Sequence, residues 1–345
     1  MKSLYFCGRR HEDILLMDLH RLTTQTGKIV LPLILGGAIL YWMYRDFDFG
    51  EVRQVLLHEM DWTWMLLSMP FGITAQLFRG LRWRQTLSPL GEEARLSTSV
   101  NAVFLSYASS LVIPRVGEFA RCGVLKRYDG VTFSKALGTV VTERAVDTIV
   151  VMAITVITLL LQLPTFHNFF VTTGTRLDTF LGQFTTTGYI VTFICLVAAL
   201  VLVWMLLRTM SVYNKVKTTL GNLWQGVMSL RHVRNIPLYI ALTLGIWCSY
   251  FLHYYLTFFC FEETSGLGIS CALVSFVVGS IAVIVPTPNG AGPWHFSVKT
   301  MLILYGVSST TALSFVLIVH SLQTLLVVLL GIYAMAALAQ TKKVG

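Results

Sequence analysis

Of the 345 residues, 55% are hydrophobic and only 12% charged, with a mean hydropathy of +0.69, whereas soluble domains carry roughly a quarter charged residues. That balance excludes an ordinary water-soluble domain and leaves an all-α polytopic integral membrane protein. The formal net charge of +9 fits the loop charges that orient such a protein, and no nucleic-acid partner is expected.

Residues 1–28 carry Arg9, Arg10, Glu12, Asp13, Asp18 and Arg21 and no small-residue cleavage site before the first apolar run. They read as a cytosolic lead-in rather than a signal peptide. From there to residue 345 the chain reads as one transmembrane domain. A spanning helix needs about 20 apolar residues, and the expected spans cover 29–44, 62–78, 134–163, 188–207, 237–261 and 310–338. Between the second and third, and between the fifth and sixth, lie two interrupted stretches, 96–128 and 268–305. Each is broken by a polar segment: Pro114-Arg115-Val116-Gly117-Glu118-Phe119-Ala120-Arg121 in the first, Pro286-Thr287-Pro288-Asn289-Gly290-Ala291-Gly292-Pro293-Trp294-His295 in the second. Prolines and glycines unpair backbone groups, tolerated at membrane depth only where the segment is buried in protein or lines a cavity. Both stretches are therefore expected to be re-entrant hairpins, entering and leaving by one side.

That topology puts 21 of the 26 Lys and Arg on one side and only Arg45, Arg53, Arg176 and Lys299 on the other, with Arg144 inside a span. Cations concentrate in cytoplasmic loops, so both termini and the first hairpin are expected on the cytosolic side and the second hairpin is expected to enter from outside. The opposite side collects Asp46, Asp48, Glu51, Glu59, Asp61, Glu262 and Glu263. Sliding Gly130-Val131-Thr132 onto Gly306-Val307-Ser308 also aligns Ala136-Leu137 with Ala312-Leu313 and Thr148 with Thr324. The expected repeat units, 62–163 and 237–338, are separated by an odd number of spans and so would be inverted, with broken elements meeting near the midplane.

Ionisable groups at membrane depth are functional candidates by default. Arg115, Glu118 and Arg121, spaced by three, would share a face of a short helix after Pro114. In the third span Glu143 and Asp147 lie at i and i+4, where like charges repel unless a cation intervenes. Arg144 can reach Asp147, and hairpin arginines can neutralise Glu143. A charge pair tying hairpin to helix and a substrate contact both fit this pattern. In the second break, Asn289, Gly290 and Gly292 can present backbone N–H groups as an anion-binding nest, with His295 beside them. His253 and His320 read as packing histidines, and Arg79, Arg82 and Arg84 as partners of anionic headgroups. The six cysteines form no Cys-x-x-Cys pair, so neither metal nor cofactor is expected.

Leu81-Arg82-Trp83-Arg84, the first polar break, Thr142-Glu143-Arg144-Ala145-Val146-Asp147 and the late Pro-x-Pro-x-Gly-x-Gly run together resemble the transmembrane domain of lysylphosphatidylglycerol synthases, over about residues 62–338. The resemblance implies a flippase-like protein of the bacterial cytoplasmic (inner) membrane. In full-length relatives this domain moves an aminoacylated phospholipid between leaflets while a separate soluble domain makes it, and this chain has no room for that synthase. Members commonly carry an acidic residue just after the second break, where this chain has Trp294-His295. The expectation is translocation of a polar or aminoacylated lipid. Arg115, Glu118, Arg121, Glu143, Arg144 and Asp147 would serve the cytosolic half, and Asn289, Gly290, Gly292 and His295 the outer half. Partners would be the lipid, anionic headgroups and, where the chain assembles, a second copy. The alternatives are an intramembrane enzyme using Glu118 or Asp147 as base, against which stands the lack of a His-Glu-x-x-His or Gly-x-Ser-x-Gly pattern, and a scaffold for another membrane protein.

Overall fold

A computed structural model describes residues 34, 36–45, 49–172, 233, 235–285 and 287–342, without the side chains of 49, 51 and 163–172. The expected lead-in, the start of the first span, the whole fourth span, the basic residues between Lys215 and Arg234 and Pro286 lie outside them. Among the described residues all regular structure is helical. It comprises α1 (36–44), α2 (Phe49–Gln54, continued by a π-turn, Val55–Glu59), α3 (Trp62–Leu87), α4 (Leu96–Val112), α5 (Val116–Asp129), α6 (Phe133–Thr172), α7 (Ile236–Tyr255), α8 (Glu262–Ser265), α9 (Gly268–Ala282), α10 (Pro293–Leu304) and α11 (Ser309–Ala339). Three stretches among the described residues are long and apolar enough to cross a bilayer: Phe133–Gln162, Ile236–Cys260 and Ser309–Ala339. Ile149, Met152, Val156 and Leu160 of α6 and Leu325, Leu329 and Ile332 of α11 are each more than half exposed. A soluble helix would bury such a face, whereas lipid accepts it.

The helices start and stop where local chemistry dictates. Asp61 caps α3 by accepting from the Thr63 amide at 2.8 Å. Ile113, which precedes Pro114, is extended at φ −129° and ψ 119°, the conformation that a following proline imposes, so α4 ends there. Arg115 turns the chain with φ 65°, and Asn289 does the same in the second break with φ 53°. Among described non-glycine residues only these two have positive φ, a conformation costing about 1–2 kcal/mol for a residue with a Cβ.

Each interrupted stretch folds as an antiparallel helical hairpin. In α4–α5 the open end is tied by Arg95 donating to Asp129 at 2.6 Å. Near the tip, Gly117 lies so close to Ser106 that a Cβ would meet that residue's carbonyl oxygen. In α9–α10 Gly279 lies against Trp294 and Val298. The first hairpin opens beside Arg84, Lys135 and Lys342, the second beside Asp61, Glu262 and Glu263, so the two open at opposite ends of the bundle, one basic and one acidic. Both ends use the same device. Glu92 accepts from the Thr132 amide at 3.1 Å and pairs with Lys135 at 2.8 Å. Glu263 accepts from the Ser308 amide at 2.8 Å and the Thr311 hydroxyl at 2.6 Å. Gly130 (φ 71°) and Gly306 (φ 93°) precede these contacts, and Val131, Ala136, Val307 and Ala312 are buried.

Close approach of small residues holds the bundle together, as expected where lipid supplies no hydrophobic drive between helices. Gly72 faces His253, Gly245 faces Phe78, and Gly331 faces Ala108. One core gathers Met65, Phe258 and Phe315 at the acidic end and another gathers Trp83, Leu87 and Leu125 at the basic end.

Gly117→Ala is expected to separate the first hairpin and lower stability by ~1–3 kcal/mol, the usual cost of overpacking, read as unfolding in detergent. Lys135 and Thr132 pull the Glu92 carboxyl from its usual 4.5 down to about 2, and the Thr311 hydroxyl lowers that of Glu263. A depressed folded value means that the stabilisation is complete above the unfolded value and fades as pH falls through the folded one. Between pH 4.5 and 2, Glu92→Gln should therefore lose less melting temperature than the native chain.

Candidate functional site

Four arginines and three carboxylates from α3, α5 and α6 converge on one cluster. Arg79 and Arg82, three apart on α3, each place a guanidinium nitrogen 2.7 Å from a different oxygen of Asp147. Arg121 of α5 lies 2.8 Å from Glu143, which also has Arg82 at 3.7 Å. The Arg121 guanidinium stacks 4.6 Å from the centroid of Trp83, whose indole N–H donates to Thr139 at 2.9 Å. Arg82 also donates to Thr243 at 3.3 Å, which brings in α7. Arg79 sits near the rings of Tyr107 and Tyr250, whose hydroxyls are joined at 2.8 Å.

Burial divides the cluster in two. Arg82, Arg121 and Glu143 have side-chain exposures of 0–1%, so their pairing is a structural tie between hairpin and helix. Glu118 and Arg144, paired at 2.7 Å, are 27% and 42% exposed, and Arg144 also lies 3.7 Å from Asp147. This outer pair is open to a visiting group. With four cations and three anions the cluster carries one surplus positive charge.

The expected single face of Arg115, Glu118 and Arg121 does not form. Arg115 precedes the first helical turn, its positive φ directs it out of register, and it is exposed with no ion pair among the described residues. Glu118 turns to Arg144 and Arg121 turns inward. Arg79 and Arg82, read from sequence as headgroup contacts, are 3% and 0% exposed. The signal that would have found them is their spacing of three within a helix that continues past Phe78 to Leu87. The same spacing puts both on the face turned to Asp147.

The second break lines a cavity of about 790 Å³ shared by α1, α11 and the tip of α4. Leu111 of the first hairpin and Pro288, Asn289 and Ala291 of the second line it together, so the two tips meet there. Leu40, Leu111 and Leu317 give it apolar walls. Arg45, Asn289, His295, His320 and Thr324 supply polar ones. Asn289 donates to Thr324 at 2.7 Å, its carbonyl oxygen lies 3.1 Å from His320 Nε2, and the rings of His295 and His320 are 4.4 Å apart. The expected anion nest is absent. Gly290 and Ala291 donate to the carbonyls of Thr287 and Pro288 at 3.1 and 2.9 Å, and Gly292 donates to His295 Nδ1 at 3.4 Å, so these amides are already used inside the turn. Side chains carry the polarity instead, and His320, read as a packing residue, is among them. His253 does pack, with Nδ1 2.8 Å from the Ser68 carbonyl oxygen. Among the described residues no group of three His, Cys, Asp or Glu side chains is arranged to hold a metal.

Removing one partner of a buried ion pair strands the other charge and costs about 3–5 kcal/mol, whereas apolar replacement of both is far milder. Arg121→Met and Glu143→Leu are each expected to destabilise the protein by that amount, and the double variant by much less, as read from a double-mutant cycle of unfolding in detergent.

No curated protein and no solved structure emerged as a match to this chain. A family model described as the lysylphosphatidylglycerol synthase TM region matches residues 29–331. With most of its length so matched, this chain is a membrane protein belonging to that lysylphosphatidylglycerol synthase transmembrane family.

Proposed function

We propose that this protein moves a polar or aminoacylated lipid between the leaflets of a bacterial cytoplasmic membrane, its headgroup passing between the tips of two re-entrant hairpins while its acyl chains stay in lipid. One observation carries the reading: both tips line a single cavity of about 790 Å³ that pairs leucine walls with the polar set Asn289, His295, His320 and Thr324. A lipid presents that division of polar and apolar surface, and exposed Tyr41 and Trp42 stand where its chains would lie. A polar path matters because a charge carried to mid-bilayer costs at least ~2.5 kcal/mol even on the mildest scale. The surplus cation and the open Glu118–Arg144 pair suit a headgroup with a phosphate.

Several features support the finer topology. Hairpins that open at opposite ends, the matched carboxylates Glu92 and Glu263, and left-handed residues in both breaks fit an inverted repeat. The basic end, with Arg84, Arg95, Lys126, Arg127, Lys135 and Lys342, suits the cytosolic face, both termini and anionic headgroups. Transport is favoured over lipid chemistry because Glu118 and Asp147, the candidate bases, are both engaged by arginine.

The test is reconstitution into liposomes containing labelled phosphatidylglycerol, aminoacyl-phosphatidylglycerol and phosphatidylethanolamine, with quenching of the outer leaflet and mass analysis of extracted lipid. Ser321→Trp, which fills the cavity, and Glu118→Gln, which releases Arg144, should each slow exchange of one lipid class at least tenfold in protein that still folds. Native exchange rates in both variants would overturn the site. A changed lipid mass without exchange would make the protein an enzyme.

A further inference from the structure

At the acidic end, remote from the arginine cluster, the π-turn, α8 and the first turns of α11 enclose a second cavity, of about 660 Å³. Glu59, Glu262, Glu263 and Ser314 line it. Glu263 is spent: its two oxygens take the Ser308 amide, the Ser308 hydroxyl and the Thr311 hydroxyl at 2.6–3.1 Å. Those contacts also consume the start of α11, where the Thr311 amide donates to the Ser308 hydroxyl, so little positive end charge remains to oppose a cation. Glu59 receives one bond, from Gln54 Nε2 at 2.9 Å to Oε1. Glu262 is exposed, and its carboxylate has no hydrogen bond or ion pair among the described residues.

Ser314 supplies the second observation. Thr148, Thr155, Ser275 and Ser280 each donate to the carbonyl four residues earlier in their helices, at 2.7–2.8 Å. Ser314 does not, although it is only 1% exposed, and its hydroxyl has no partner among the described residues. A buried hydroxyl left unmade costs about 1–3 kcal/mol. The adjoining wall is a π-turn, a rare conformation frequent at functional sites. Two carboxylates with free capacity and a stranded acceptor match the three donors of a primary ammonium, while the described residues offer no metal-ligand set.

We infer that this cavity is a binding site for the primary ammonium group of a small organic cation, held by Glu262, Glu59 and Ser314. The inference is tested by binding alone and so stands or falls separately from the transport reading. The full chain in phosphatidylcholine nanodiscs is titrated with lysine ethyl ester, with magnesium chloride and with a neutral N-acetylglycine ester, following thermal stability and calorimetric heat. Saturable binding of the lysine ester only is expected, weakened at least tenfold in Glu262→Gln. Ser314→Ala should weaken it as well while leaving the unliganded melting temperature unchanged or higher, because it removes an unpartnered hydroxyl. Magnesium displacing the ester, equal binding of the neutral ester, no binding of the lysine ester, or native affinity in both variants would each overturn the assignment.

Discussion

The arrangement depends on one electrostatic constraint: Asp147 and Glu143 of a membrane-spanning helix are held by arginines from two other elements. Arg79 and Arg82 bring α3 to Asp147, and Arg121 brings the first hairpin to Glu143. Where the surroundings are hydrocarbon, neither sign can be left alone, so the pairs fix the register of three helices at once. Trp83, held by its indole bond to Thr139, completes the tie by covering the Arg121 guanidinium. The fold around this centre needs few other directional contacts. Small residues let backbones come close, and side-chain polarity appears where the chain breaks.

The same centre explains why the outer pair is available. Glu143 and Asp147 already pair with three guanidinium groups, which leaves Arg144 with Glu118 at the edge and one positive charge in excess. That edge lies one turn beyond the break at Ile113 to Arg115, whose far side faces the cavity of the second hairpin through Leu111. The ion-paired cluster on one side and the polar walls of the cavity on the other thus flank a single meeting point. The matched ends, Glu92 with Lys135 and Glu263 with Thr311, tie the two arms of each hairpin together at its base while the tips touch.

Much of this was legible in the sequence. The third, fifth and sixth expected spans fall on helices with bounds differing by a few residues, except that α6 runs on to Thr172, and both breaks occur where proline forbids helix. The neutralisation of Glu143 by a hairpin arginine followed from spacing and from the cost of an unpaired charge. Arg79 and Arg82 were misread because the second span was closed at Phe78, where hydropathy falls, although the helix ignores that fall and carries both arginines inward to partners more than 60 positions away. The anion nest failed for a local reason: glycine-rich sequence permits free amides, but the turn closed on itself and used them. Arg115 escaped its expected face because helical periodicity does not apply to the residue before the first turn.

The distance in sequence between Arg79 and Asp147, 68 positions, governs how the chain is made. Synthesis delivers α3 with two buried-to-be guanidinium groups long before α6 exists to neutralise them. On insertion scales each such cation costs about 2.5–3.5 kcal/mol at the centre of a lone helix. The packing of α3, and that of the first hairpin, whose Arg121 awaits Glu143, is therefore completed only once α6 has emerged. The ion pairs thus close in one late, joint step of three elements rather than in a sequence of independent ones.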